Sequence, residues 1–440
     1  MKRFIFVLFL LTQSLHSQWV QTGLTKEDVT AFAVSGNNFF AGTSNHGGFP
    51  GGGVFRSTDD GMTWSAVNSG LPKWDTAHYC SVYALAFAGT NLFTSMVDYA
   101  ANVYRSTDNG FSWSRADSGL PKPIGINSFA VVDTCLFAAA PYLGTDMDWE
   151  TGIFLTTNNA KSWTRADSGV PAYTAFLNLS AGSNGVGGTT LLAGSDNDGV
   201  YLSANNGTSW TKVNSGLPKH TFDTSIYLNV SALAVNGANL HAAFWYGGIF
   251  RSTNNGANWM AVNSGLPQNI TVNEFAIRDA NIFAGTNSGV FLSTNNGTNW
   301  NSVNTGLTNT LEIGSLVATS THLFAGTNGA GVWRRPLFEM IPTSVEQIFA
   351  QLPERFDLQQ NYPNPFNPST TIRYSLPSTA HVKLTIYNML GQAVSELVNE
   401  QQSAGWREVR WDAKSISSGV YFYELRAGSF VQTRKMLVLK

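Results

Sequence analysis

The chain has 440 residues, 43% of them apolar and only 12% charged, with a net charge of −2. With no basic stripe to track a phosphate backbone, nucleic acid is excluded as a partner. The 42 glycines and 13 tryptophans suit short strands joined by tight turns rather than helices or acidic disorder.

At the N-terminus, Lys2 and Arg3 precede an apolar run from Phe4 to Leu11, then polar residues and Ser17. This is the pattern of a secretory signal over residues 1–17. The run is too short to cross a bilayer, and no other stretch approaches eighteen apolar residues, so no transmembrane segment is expected. Cys80 and Cys135 lie at non-equivalent places in different repeats, and pairing between them is not expected.

From residue 55 the chain repeats itself. FRSTDDGMTW (55–64) returns in close variants at 104–113, 154–163, 201–210, 250–259 and 291–300. The box tryptophans Trp64, Trp113, Trp163, Trp210, Trp259 and Trp300 lie 41 to 50 residues apart, the period of a propeller or a solenoid. Each unit carries four strand-length segments; in the first they are TAFAVSG (30–36), NFFAGT (38–43), GVFRST (53–58) and TWSAVNSG (63–70). Four strands per unit make a propeller blade. The second-strand motif occurs seven times, from FFAGT at 39 to LFAGT at 323, yet there are only six boxes. WVQTGL (19–24) matches the segment after each box, as in SVNTGL (302–307). The N-terminal strand is therefore expected to complete the last blade and close a seven-bladed ring over residues 18–335, which removes two exposed strand edges.

The box reads as a fastener rather than a site. Asp59, Asp108, Asn158, Asn205, Asn254 and Asn295 start a tight turn, where a short polar side chain bonds its own backbone two residues on. Gly61, Gly110, Gly207, Gly256 and Gly297 supply a positive φ, and Ala160 in the third box departs from that pattern. The charge is present in two boxes and absent from four. Hydrogen bonding survives that exchange, whereas metal binding and acid–base chemistry do not.

The pattern S-x-D/N-x-G-x-x-W resembles the Asp-box, or bacterial neuraminidase, repeat family. The resemblance covers residues 18–335 and implies a β-propeller. It leaves function open, since such propellers include sialidases, xyloglucan-degrading glycosidases, a photosystem II assembly factor and sorting-receptor ectodomains. Sialidases use an Arg-Ile-Pro motif and three convergent arginines. No Arg-Ile-Pro occurs here, and Arg56, Arg105 and Arg251 share one repeated strand position that holds Leu155, Leu202 and Leu292 elsewhere.

Loops between second and third strands share a face with the blade-to-blade links, and there the repeat breaks down. Trp74, Tyr79, Tyr99, Tyr142, Trp149, Trp245 and Tyr246 can stack on sugar rings or grip a peptide. Asp75, Asp98, Asp146, Asp148, Glu150 and Asp223 are the candidates for a hydrolytic carboxylate pair. DMDWE (146–150) lacks the glycine of a calcium loop, SDNDG (195–199) lacks a distal Glu, and the histidines show no ligand spacing, so no metal or cofactor is expected.

Residues 336–356 lose the repeat register and read as a linker. Beyond them, segments such as VKLTIY and VYFYELR alternate as strands, and residues 357–440 read as a small β-sandwich with nine Lys and Arg against six Asp and Glu. This module closely resembles the type A C-terminal sorting domain of the type IX secretion system, on NYPNPFNPST, IYNMLGQ, SGVYFYEL and the terminal KMLVLK. The resemblance implies a bacterium of the Bacteroidota or a neighbouring phylum, recognition of the tail by the type IX machinery, and its removal on release or surface attachment. The sequence thus describes an all-β chain, a seven-bladed β-propeller followed by a C-terminal sandwich, expected to be a secreted or surface-attached monomer. Three roles fit it. The first is recognition of a glycan or protein through the irregular face. The second is glycoside hydrolysis. The third is assembly of another complex, which the secretion tail argues against.

Overall fold

The computed structural model describes residues 18–44, 52–96, 102–121, 125–141, 151–307, 312–341, 355–402, 405–414 and 416–439. Residues 1–17, with the expected signal, lie outside them. The chain divides into two compact units between Ile341 and Pro342.

Among the described residues the first unit holds seven four-stranded antiparallel sheets. The first is built from Asp28–Ser35, Asn38–Ser44, Gly53–Ser57 and Ser65–Ala66, in chain order from the inside outwards. Each sheet's first strand touches the first strands of the sheets before and after it, and the series returns to its start. The second strands are buried along nearly their whole length because neighbouring sheets cover both faces. Phe40, Phe93, Phe137, Phe283 and Phe324 are fully buried there. The seventh sheet takes its outer strand from the N-terminus, with Val20 opposite Arg334 and Gln21 opposite Trp333. This is the closure that WVQTGL implied.

The boxes close as a hydrogen-bond knot. Ser57 Oγ accepts from the Gly61 amide at 2.9 Å and donates to Asp59 Oδ1 at 2.8 Å. Asp59 does not bond its backbone two residues on, as the sequence suggested, but four: Oδ1 accepts from the Thr63 amide at 2.9 Å, and Oδ2 from the Thr63 hydroxyl at 2.7 Å. The reason is a double left-handed turn. Asp60 and Gly61 take φ of 60° and 77°, which swings the Thr63 amide back, and Asp or Asn tolerates the first of these positions. Ala160 holds φ 57°, and its amide still bonds Thr156 Oγ1 at 2.9 Å, so the third box closes like the rest.

Asp and Asn are interchangeable here because the partner hydroxyl reverses its role. It donates to Asp59, but it accepts from the Asn158 and Asn205 amides at 2.8 and 2.9 Å. Asp59→Asn is therefore expected to leave stability within about 0.5 kcal/mol at neutral pH, while Asp59→Ala costs about 1 kcal/mol at this exposed turn. Burial alone would raise the Asp59 carboxyl, but the bonds from Thr63 and Ser57 outweigh it and hold the pKa below the ordinary value. The resulting stabilisation is present above the unfolded carboxyl's pKa and is lost as pH falls through the lower folded one. Urea unfolding at neutral and acid pH checks both points: the Asn variant should lack that acid loss.

The tryptophans tie sheet to sheet. The indoles of Trp113, Trp163, Trp210, Trp259 and Trp300 donate to Val67, Ala116, Ala166, Val213 and Val262 O of the preceding unit, at 2.7 to 2.9 Å. Trp19 makes the same tie to Val303 O at 2.7 Å and so supplies the indole that the unboxed seventh unit lacks. Trp64 differs, donating to Thr22 Oγ1 and Gly61 O.

The repeated arginines also tie neighbours together. Arg105, Arg251 and Arg334 donate to Asn159, Asn296 and Asp60 O in the next box, and Arg56 lies over the Phe111 ring of the next box. Arg115, Arg165, Arg278 and Arg335 each pair with an acid close by in sequence. With every arginine of the ring engaged in this way, no convergent carboxylate clamp forms.

One sequence boundary shifts. Leu337 and Met340 are buried in the seventh sheet's core, so residues 336–341, expected to be linker, belong to the ring. Cys80 and Cys135 form no disulfide with each other.

The second unit is a sandwich of a three-stranded sheet (Asp357–Leu358, Ser369–Leu376, Gly405–Asp412) and a four-stranded one (Ala380–Tyr387, Ala393–Gln402, Gly419–Ala427, Phe430–Val438). Tyr374, Ile386, Trp411, Tyr423 and Met436 pack between them. The NYPNPFNPST motif fastens the last strand: Phe366 exchanges backbone bonds with Leu437 and Leu439, and Asn364 Oδ1 accepts from the Leu437 amide at 2.9 Å.

Candidate functional site on the loop face

The meander of each sheet sends its second-to-third connection and its outgoing link to one face, and its box to the other. Asp98, Tyr99, Tyr142, Asp146, Asp148, Trp149 and Glu150 lie outside the described residues. Trp74, Asp75 and Tyr79 stand on the link leaving the first sheet, Asp223 on the link leaving the fourth, and Trp245 and Tyr246 on a connection of the fifth.

Asp75 and Asp223 are thus three sheets apart and do not face one bond between them. Each also holds its own link. Asp75 accepts from the His78 ring and from the Ala77 and His78 amides, which bring its pKa down to about 2. The Ser225 hydroxyl and amide hold Asp223 below its ordinary value. Carboxylates kept ionised in this way are unsuited to donate a proton. Tyr79 is half-buried against the core between the first two sheets, beneath Lys73. It packs rather than presents its ring.

Among the described residues, the face is richest between the fourth and fifth sheets. Phe222, Trp245 and Tyr246 are 81%, 51% and 69% exposed. Their two connections are joined where the Trp245 amide donates to Asn229 O at 3.1 Å. The tight turn Phe244–Gly248 forces Tyr246 to φ 56°, a costly conformation for a bulky residue and one that concentrates at functional positions. Its ring borders a groove of about 370 Å³ that Asn263, Pro267 and Gln268 also line. On the link from the fourth sheet, Lys219 lies over the Tyr227 ring.

A carboxylate absent from the sequence candidates sits here. Burial pushes the Asp196 carboxyl up, against the pull of its bond from the Asn229 amide and the nearby His220. His220 lies within electrostatic reach of both Asp196 and Asp223. Asp198 next to it accepts from Tyr201 and Lys212. The junction thus brings together an acid shifted up, an acid shifted down, an imidazole and the Phe222 ring that packs on it, with Trp245 and Tyr246 on the joined connection. The only sequence signal for Asp196 was the acidic SDNDG turn, since its partner Asn229 comes from the next unit. Among the described residues no group of three or more His, Cys, Asp or Glu could hold a metal ion, and no helix is long and apolar enough to cross a membrane.

Residues 360–439 match the family model of the secretion system C-terminal sorting domain. A search of curated proteins returned no match. Among solved structures, the chain is similar to YCF48 from Cyanidioschyzon merolae at 15% identity and TM-score 0.51, over 74% of this chain and all of that one. YCF48 bound to a D1 peptide aligns at 13% identity and TM-score 0.51, over 74% of this chain and 96% of that one. The GH74 xyloglucanase from Xanthomonas campestris aligns at 15% identity and TM-score 0.53, over 82% of this chain and 59% of the enzyme. At such identities the likeness establishes the β-propeller fold and nothing of activity. The chain therefore joins a β-propeller to a secretion system C-terminal sorting domain, and it is exported by type IX secretion to the cell surface or the extracellular space.

Proposed function

We propose that this protein is an exported recognition propeller that binds a polysaccharide through the loop face of its fourth and fifth sheets. The observation that carries this reading is the exposed trio Phe222, Trp245 and Tyr246 on two joined connections. Flat rings with one wet face stack on sugar rings, and Asn229 and Ser225 beside them offer hydrogen bonds. A surface protein is the other ligand class such a patch can take. The box geometry supports placing the ring among seven-bladed Asp-box propellers. Residues 1–17 support signal-peptide export, and residues 357–440 are the part that the type IX machinery would recognise.

The test is affinity gel electrophoresis of the purified chain in plant, algal and host polysaccharides. At least one gel should retard it, and Trp245→Ala with Tyr246→Ala should weaken that binding about tenfold or more. A chain that runs freely in every gel would remove the polysaccharide reading.

A second reading, glycoside hydrolysis, is favoured by one observation: Asp196 is pushed up and Asp223 down around a shared His220, as an acid and its ionised partner must be. Assaying new reducing ends with the same polysaccharides decides it. Release that Asp196→Asn abolishes, with retention intact, would make the protein an enzyme.

A further inference from the structure

Among the described residues, every residue other than glycine with a left-handed φ is Asn or Asp, except Ala160, Tyr173 and Tyr246. Ala160 belongs to the third box. The two tyrosines, at φ 65° and 56°, both stand on the loop face and are 81% and 69% exposed. Tyr173 lies on the link that leaves the third sheet. The link leaving the fifth sheet makes the same turn with Asn269, at φ 57°. Asn tolerates that conformation, whereas a bulky side chain resists it. The turn therefore does not call for a tyrosine, and a ring so exposed gains little from packing. Such a cost persists where the side chain serves function.

Both rings border grooves built from equivalent positions. Tyr173 borders one of about 390 Å³ with Thr151, Arg165, Asp167, Val170 and Ala172. The groove beside Tyr246 is lined by Asn263, Leu266 and Gln268, the counterparts of Asp167, Val170 and Ala172 in the fifth unit. The tyrosine comes from the outgoing link in one case and from the second-to-third connection in the other. Two different elements thus set an exposed ring on equivalent grooves. Arg165 donates to Thr151 O at 2.8 Å and pairs with Asp167 at 2.9 Å, which fixes the groove's cationic donor in place.

A belt of backbone hydrogen bonds joins Tyr173's link to the aromatic patch. The Asp196 amide donates to Ala175 O at 2.9 Å, the Tyr227 amide to Asn197 O at 3.0 Å, and the Trp245 amide to Asn229 O at 3.1 Å. The belt thus crosses two successive junctions, with exposed rings at both ends. Exposed Asn197 stands between them, and its side-chain amide can both donate and accept. Along residues 170–175, 196–199, 218–229 and 245–247 the acids are Asp196, Asp198 and Asp223, against Lys219 as the one Lys or Arg. That balance repels a polyanion.

Separated rings with hydrogen-bonding groups between them suit a polymer of sugar rings and hydroxyls. Two contacts on one chain reinforce each other through effective concentration. We propose that Tyr173 and its groove form a second subsite, so that one neutral polysaccharide chain bridges the third-to-fourth and fourth-to-fifth junctions. This rests on the polysaccharide reading of the aromatic patch.

Affinity gel electrophoresis of the purified chain in xyloglucan, galactomannan, laminarin, polygalacturonate and alginate tests it. A neutral polymer should retard the chain more than either acidic one. Tyr173→Ala should weaken that retention about fivefold or more, and Tyr173→Phe should keep it. Tyr173→Asn should weaken it equally while unfolding at no lower temperature, a separation that a merely structural ring would not show. Retention that survives Tyr173→Ala but not Trp245→Ala with Tyr246→Ala would overturn the second subsite and leave the patch standing. Retention lost on Tyr173→Ala alone would remove the patch, and the bridge with it. Stronger retention by polygalacturonate or alginate would overturn the neutral chain. Free running of the wild type in every gel would remove both readings.

Discussion

Replacing Trp19 with alanine is expected to destabilise the ring by about 3–5 kcal/mol, the cost of emptying a buried aromatic site. Trp19 is 2% exposed, packs with Phe283, Leu307 and Leu323, and donates to Val303 O through its indole and to Thr305 O through its amide. It also anchors the strand that closes the ring, just before Val20 and Gln21. Losing that anchor frays the seventh sheet and exposes an edge open to pairing with other chains. Val20, which is 53% exposed, is the control: Val20→Ala should stay within about 0.5 kcal/mol. Urea unfolding of the three proteins decides. A Trp19→Ala chain as stable as the Val20→Ala chain would show that the N-terminal strand does not hold the ring shut.

The second large effect is expected at Gly265. Its φ is +90°, and a Cβ there would sit 2.0 Å from the carbonyl oxygen of Trp300 in the next unit. Neither the backbone nor that carbonyl can yield without breaking the Trp300 tie. Gly265→Ala should therefore cost about 3 kcal/mol or more, from a strained dihedral and an overpacked contact together. Gly237 has φ +59° with nothing within 4 Å of its Cβ position, so Gly237→Ala should cost only the left-handed penalty of about 1 kcal/mol. Thermal unfolding of both variants separates the two causes. Equal losses would mean that the close approach between neighbouring sheets contributes nothing.

These expectations show where the sequence was legible. Repetition exposed the strand plan, because six boxes and seven second-strand motifs carry the same local chemistry. The Asp and Asn exchange showed the box to be a fastener, and the hydroxyl that donates to Asp59 but accepts from Asn158 gives the physical reason. What repetition could not show is where each side chain reaches. The arginine position was visible, yet its acceptor lies in the next unit, 54 residues on for Arg105. Trp19 escaped notice because it stands three residues before Thr22, whereas Trp300 stands five before Thr305.

The candidate site was harder to read for the same reason. Trp245 and Tyr246 were visible as aromatics that break the repeat. Asp196 was not, because its shift depends on burial beside Asn229 from the following unit. Asp75 and Asp223 carried the right chemical groups, but their own links claim them.

Hydrogen–deuterium exchange of the full chain, with and without the polysaccharide that retards it most, tests the central claim most directly. Slower exchange at residues 220–229 and 244–248 is the expected result, with the boxes at 59–63 and their equivalents unchanged. Protection centred on the boxes, with the fourth-to-fifth junction unaffected, would contradict it and return the repeated turns to consideration as the binding face.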